Sequence, residues 1–169
     1  LNVPAILDLI SDGVYVCSPE RKIVYWSQSA QRITGWTTDD IVGRACFDGL
    51  LCHVDKDGHV LCGEEYCPLH RAMVTGNDSL HPLVYVACKD GRRLPIQVRV
   101  APIFNDAGEV IGGIETFHDV SKMVFDLERA QAIQALSLKC ELPHDPRLEV
   151  AAHYIPHDIL GGLLRRGPA

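Results

Sequence analysis

The sequence predicts an α+β domain, and three observations carry that reading. Two short runs rich in β-branched and aromatic residues stand near the start, and three longer ones stand in the second half. Helical signals lie between the two groups. After Asp119 the apolar residues change from alternation to a spacing of three and four, which marks a helix following the last strand.

Pro4 followed by Ala5-Ile6-Leu7-Asp8-Leu9-Ile10 reads as a short amphipathic helix with proline in its first turn, broken by Asp12-Gly13. Val14-Tyr15-Val16-Cys17 and Ile23-Val24-Tyr25-Trp26 are strands joined by the polar turn Ser18-Pro19-Glu20-Arg21. Ser27 is the N-cap of a helix ended by Gly35, and Thr37 or Thr38 caps a second one stopped by Gly43. From Ala45 to Pro68 periodicity fades and cysteines concentrate. Residues 68–74 then read as a helix ending at Gly76. Strands follow over 80–88, 93–104 and 110–118, with Lys89-Asp90-Gly91 and Asn105-Asp106-Ala107-Gly108 as turns. Val98, Val100 and Pro102 alternate with Arg99 and Ala101, so one face of the sheet is buried. Beyond Asp119, Val120, Met123, Val124, Leu127 and Ala130 share a helical face opposite Lys122, Asp126, Glu128 and Arg129. A helix with so narrow an apolar stripe is not stable alone, so it docks on its own sheet or pairs with a second copy.

Composition narrows the function classes. The 169 residues are 47% hydrophobic and carry a formal net charge of −6 with both signs interspersed, enough for one core and unsuited to tracking phosphates. Nucleic acid is therefore not an expected partner. Apolar runs such as 5–10 are too short for a bilayer, and the first residues lack the pattern of a signal peptide, so a cytoplasmic location is expected. Leu1 leaves an internal chain start open. Seven cysteines without an export signal argue against a disulfide framework and for metal binding or redox chemistry. There is no nucleophile elbow, Gly-rich phosphate loop or framed carboxylate pair, so the chain is not expected to be an enzyme.

Asp12-Gly13-Val14, the run Ile23-Val24-Tyr25-Trp26-Ser27-Gln28-Ser29-Ala30 and Ile33-Thr34-Gly35-Trp36 resemble the opening of PAS sensory domains. Lys89-Asp90-Gly91-Arg92-Arg93-Leu94-Pro95-Ile96 resembles their second hairpin, and Gly112 to Ser121 their last strand and exit. The resemblance covers roughly residues 4–121. It implies a five-stranded antiparallel sheet with short helices on one side, cupping a pocket, and a C-terminal signalling helix. The expected organisation is a PAS sensor over 1–121 with a Cys-rich segment at 45–68, a linker or signalling helix over 122–139, and a remainder at 140–169. Leu142 to Pro156 is similar to the first strand of sporulation-type, metal-dependent serine phosphatases. In that family two glycines are followed by metal-binding acids, whereas Gly161-Gly162 here precede Leu163-Leu164-Arg165-Arg166. The expectation is a truncated or frame-shifted phosphatase start, or a disordered tail. A C-terminal output domain and a homodimer through the helix after Asp119 are the expected partners.

Cys46, Cys52, Cys62 and Cys67 are separated by five, nine and four residues, with His53, His59 and His70 among them. Four thiolates in a loop-rich segment suit a tetrahedral or cluster site, so an iron–sulfur cluster or zinc is the expected cofactor, with His53 and His70 as additional ligands. A dithiol switch, a purely structural zinc and four unligated thiols remain open beside it. Cys17 and Cys88 fall in strands as core residues, and Cys140 lies beyond the domain. Gly43-Arg44-Ala45-Cys46-Phe47 resembles the flavin-bonding segment of blue-light PAS photoreceptors, but Ala45 replaces their asparagine. Flavin, and haem on His70, therefore rank below a cysteine-held metal. Asp55 and Asp57 read as a polar turn. The function expected is redox or oxygen sensing, coupled by the helix to a phosphatase output. The alternative is a structural PAS dimerisation module whose zinc or free thiols sense nothing.

Overall fold

In the computed structural model, which describes residues 3–63 and 65–137, the chain opens with α1 (Val3–Leu7) and the strands β1 (Gly13–Cys17) and β2 (Ile23–Trp26). The helices α2 (Gln28–Thr34), α3 (Thr38–Ile41) and α4 (Pro68–Thr75) follow. The strands β3 (Ser79–Ala87), β4 (Arg93–Phe104) and β5 (Val110–Asp119) lead to α5 (Ser121–Ser137). One antiparallel five-stranded sheet has the order β2-β1-β5-β4-β3. The β1–β5 pairing, from Gly13 against Phe117 to Cys17 against Gly113, joins the first hairpin to the later three strands.

Alternation decides which face is buried. Leu94, Ile96, Val98 and Val100 of β4 point into the core while Arg93 and Arg99 are exposed. The same inner face carries Val84 and Val86 of β3, Tyr15 and Cys17 of β1, and Phe117 of β5. Leu69, Ala72 and Met73 of α4 complete the core over it. The close approach of α4 needs Gly113, where a Cβ atom would stand 2.8 Å from Leu69 Cδ1 and 3.0 Å from Met73 Cγ.

The short helices are held by their ends. Ser27 Oγ accepts from the N–H groups of Ala30 at 3.1 Å and Val14 at 3.0 Å, so one hydroxyl caps α2 and ties it to β1. Gly35 ends α2 in the left-handed region at φ 78°. Thr37 and Asp40 form a capping box on α3, and Asp40 also receives Lys89 Nζ at 2.6 Å.

Two sequence expectations are corrected. The first helix stops at Leu7 because Asp8 Oδ1 is drawn to the start of α2, accepting from Gln28 N and Tyr25 Oη, both at 3.0 Å. The residues of α1 are not buried. Val120 is not part of the α5 stripe: it is buried before the helix, its N–H donating to Pro95 O at 3.1 Å. The chain divides after Ser121 into two units. In α5, Met123, Phe125 and Ile133 are exposed, and Arg129 lies 5.9 Å from the Phe125 ring centre. Among the described residues no helix is long and apolar enough to cross a membrane. The phosphatase-like segment and Cys140, His144, His153 and His157 lie outside the described residues.

Candidate functional site

The irregular segment between α3 and α4 is pinned to both sides of the sheet. At one end Cys46 N donates to Arg21 O at 2.9 Å, beside the Lys22–Ala45 bridge. At the other, Val54 and Tyr85 exchange two backbone bonds of 2.9 Å, and Ala87 N donates to Leu51 O at 2.7 Å. A tight turn through Val54 and Val60 brings residues 53 and 62 together, with Leu61 N donating to His53 O at 2.8 Å. Leu51, His53 and Val54 are thereby buried against the inner face.

A polar chain crosses this buried region. Tyr15 Oη donates to Glu115 Oε2 at 2.8 Å. Among the described residues Glu115 Oε1 has no hydrogen-bond partner, and it lies 3.5 Å from His53 Nε2. The other ring nitrogen, Nδ1, is 3.9 Å from Cys62 Sγ, which also accepts from the His53 backbone N–H at 3.1 Å. Glu115 is 2% exposed, and burial pushes its carboxyl up to about 8, with Tyr15 opposing and Cys46 adding to the rise. Burial, helped by Arg93, lowers His53 to about 4. At neutral pH both groups are therefore uncharged, so the interior holds an acid and an imidazole without an ion pair.

The predicted ligands separate into three situations. Cys62 and Cys67 line one cavity with His53, Leu61, Pro68, Val84, Val98 and Glu115. Cys46 is buried, and a hydrogen bond with Cys17 holds its thiol below the ordinary range, against burial and with help from Arg21. Cys52 sits at φ 35° with its carbonyl and sulfur taken by the Arg93 guanidinium, the sulfur contact being 3.5 Å. Burial raises Cys62 to about 12 and also raises Cys67. His70, on α4, is half-buried and does not line the cavity. Cys17, in β1, and Cys88, which follows the end of β3 and does not lie within the strand expected there, are both buried in the core.

Among the described residues, the donors that gather three within 4.8 Å of one another are Asp55, Asp57 and His59. They form the turn expected there. Asp55 Oδ1 accepts from the N–H groups of Asp57 and His59 at 2.9 Å, and Oδ2 meets His59 Nδ1 at 2.9 Å. The four cysteines form no such group.

The cavity beside Glu115 has a volume of about 10 Å³, room for about one water molecule. An isoalloxazine ring or a haem does not fit that space, and the Cys46 sulfur is turned to Cys17. Sequence reasoning missed Glu115 and Tyr15. Their signal was the alternation along β5 and β1, which places Glu115 on the same face as Gly113 and Phe117.

Residues 7–124 match the family model described as the PAS fold. Among solved structures, the chain is similar to the PAS domain of a Colwellia psychrerythraea protein at 18% identity and a TM-score of 0.57, covering 70% of this chain and 93% of that one. It is similar to the PAS domain of nitrogen regulation protein NR(II) from Vibrio parahaemolyticus at 17% identity and 0.54, covering 70% and 98%. A third likeness is to an RNA-binding light-oxygen-voltage receptor, at 22% identity and 0.59, covering 81% of this chain and 39% of that one. At these identities the likeness concerns the fold alone. No curated protein matches the chain.

Proposed function

The chain belongs to the PAS fold family, whose members are sensor modules of signal transduction, and from that premise we propose that it reads redox state or oxygen through the thiols of segment 45–68 and the metal they hold. The observation that carries this reading is the buried meeting of sulfur and carboxyl groups. Cys62, Cys67 and His53 share a cavity with Glu115, and Cys46 acts electrostatically on Glu115, Cys62 and Cys67. An ordinary core would place apolar groups there, because a carboxyl without a full set of partners costs stability. The small cavity favours a single ion over a cluster.

Glu115 lies on β5, the strand that continues through Val120 into α5. Oxidation of two thiolates by a peroxide forms one S–S bond. Two electrons pass to the peroxide, which with two protons leaves as two waters, and the metal loses two ligands. The segment then repacks against β5, and α5 carries the change outward, pairing with a second copy through Met123, Phe125 and Ile133. The output we assign is a protein serine phosphatase, on the likeness of residues 142–156.

The test compares protein prepared without oxygen, in air, and after a peroxide pulse. Metal content, free thiols and the proteolytic susceptibility of residues 45–68 and 121–137 are read in each state. Metal held only in the reduced state, with a changed cleavage pattern over both stretches, is expected. Identical patterns in reduced and oxidised protein, with no metal in either, sink the proposal.

A further inference from the structure

We propose that the groove between α4 and the start of β3 binds a small organic carboxylate, its charged end held by Arg71 with Ser79 and His81 beside it. This input is separate from the thiols of segment 45–68.

The groove has a volume of about 440 Å³, within the range of pockets that take small molecules. One wall is the face of α4 that carries Pro68, Arg71, Ala72 and Thr75, spaced by three and four as on a single helical face. The other wall is β3, an edge strand of the sheet. Ser79 pairs with Val100 and His81 with Val98, and both valines are buried, so the two polar side chains stand on the inner face. Beyond the register shift that follows His81, the same face is filled by Val84 and Val86. A serine and a half-buried histidine thus replace the apolar residues that this strand otherwise turns inward, and such groups are stable when they meet a polar partner.

Charge selects an anion as that partner. Among the described residues no carboxylate pairs with the Arg71 guanidinium, whereas Asp78, also on the lining, is held by Arg99 Nη2 at 3.0 Å. His81 is neutral at pH 7: burial, with Arg71 adding to it, lowers its imidazole below the ordinary range. Its Nε2 lies 3.1 Å from Ser79 Oγ. Thr75 Oγ1 and Asn77 Nδ2 donate to backbone carbonyls, Arg71 O at 2.8 Å and Thr75 O at 3.1 Å, and so shape the end of the helix. The groove therefore offers a guanidinium fork, a hydroxyl and a neutral imidazole, which match one carboxylate. A phosphate dianion would bring a second negative charge towards Asp78. Pro68 and Ala72 supply apolar surface for the body of the ligand.

The reduced full chain is titrated with benzoate, with benzyl alcohol as the uncharged analogue and with inorganic phosphate, and read by backbone amide and histidine imidazole NMR. Benzoate is expected to give saturable shifts centred on residues 68–81, and the His81 imidazole should titrate at a higher pH with benzoate present than without it. Benzyl alcohol and phosphate should bind at least tenfold more weakly. Arg71→Gln removes a charge-assisted contact and should weaken benzoate about 10–100-fold with the amide spectrum otherwise kept. Lys89→Gln, which removes a cation outside the groove, should leave the affinity unchanged. Unsaturable benzoate shifts in the folded wild type, wild-type affinity in Arg71→Gln, or an equal loss in Lys89→Gln overturns the assignment. Phosphate binding as tightly as benzoate also overturns it, because the site would then read charge and not a carboxylate.

Discussion

Tyr15→Phe isolates a hydrogen bond that holds the buried carboxyl. Among the described residues the hydroxyl is the only donor to Glu115 Oε2, at 2.8 Å, and Oε1 has none. The substitution keeps the ring against Trp26, whose centre lies 5.8 Å away at 37°, so packing is preserved while Glu115 loses its partner. Leaving a buried acceptor unsatisfied costs about 1–3 kcal/mol, and we expect a loss of about 2 kcal/mol. Urea unfolding of the reduced, metal-free protein should show this as a lower midpoint at unchanged slope. In a Glu115→Leu background the hydroxyl has no acceptor to serve, so the same change there should be neutral or stabilising. The cycle then yields a coupling of about 1 kcal/mol or more. A loss below about 0.5 kcal/mol in the wild-type background, or equal losses in both, refutes the idea that this bond orients the carboxyl.

Three further outcomes test the scaffold around the site. Ser27→Ala strands two buried N–H groups, Ala30 and Val14, and should cost about 2 kcal/mol, the upper end for a lost cap, in denaturant unfolding. Gly112→Ala places a Cβ atom 2.4 Å from Cys17 O, backbone that cannot step aside; a loss of about 3 kcal/mol and lower β-sheet dichroism are expected. The bond from Lys89, with the Thr37 donors, holds Asp40 down at about 2, below its ordinary 3.8. Its stabilisation is therefore present above pH 3.8 and is lost as pH falls through 2. The wild type should lose its advantage over Asp40→Asn across that window, and an advantage independent of pH would contradict the assignment.

Much of the scaffold was legible because local signals and tertiary packing agree. Ser27 caps α2, Gly35 ends it, Pro68 starts α4, and residues 93–104 form β4 as their alternation implies. Local chemistry failed where a distant partner intervened. Asp8 and the two residues after it read as helix, yet the Asp8 carboxylate is taken by Gln28 and Tyr25. Val120 reads as the first residue of a helical stripe, yet its N–H belongs to Pro95.

The site divides along the same line. The cysteines drew notice to residues 45–68 by their density alone, since thiols of that number in one loop segment are a chemical signal independent of fold. Their grouping is another matter. Arg93 of β4 holds Cys52, Cys17 of β1 pairs with Cys46, and Cys62 and Cys67 meet His53 and Glu115 in the cavity.

The amino-acid sequence by itself determined the α+β class, the order of the elements and the family. Class and order rest on periodicity, caps and turns that each residue run carries within itself, and the family on the resemblance of the motifs over residues 4–121. Only the tertiary structure decided that Tyr15 and Glu115, 100 residues apart, face each other beside His53. The register of β1 against β5 and the path of segment 45–68 over the sheet set that meeting, and pairing between distant strands leaves no mark in either strand alone.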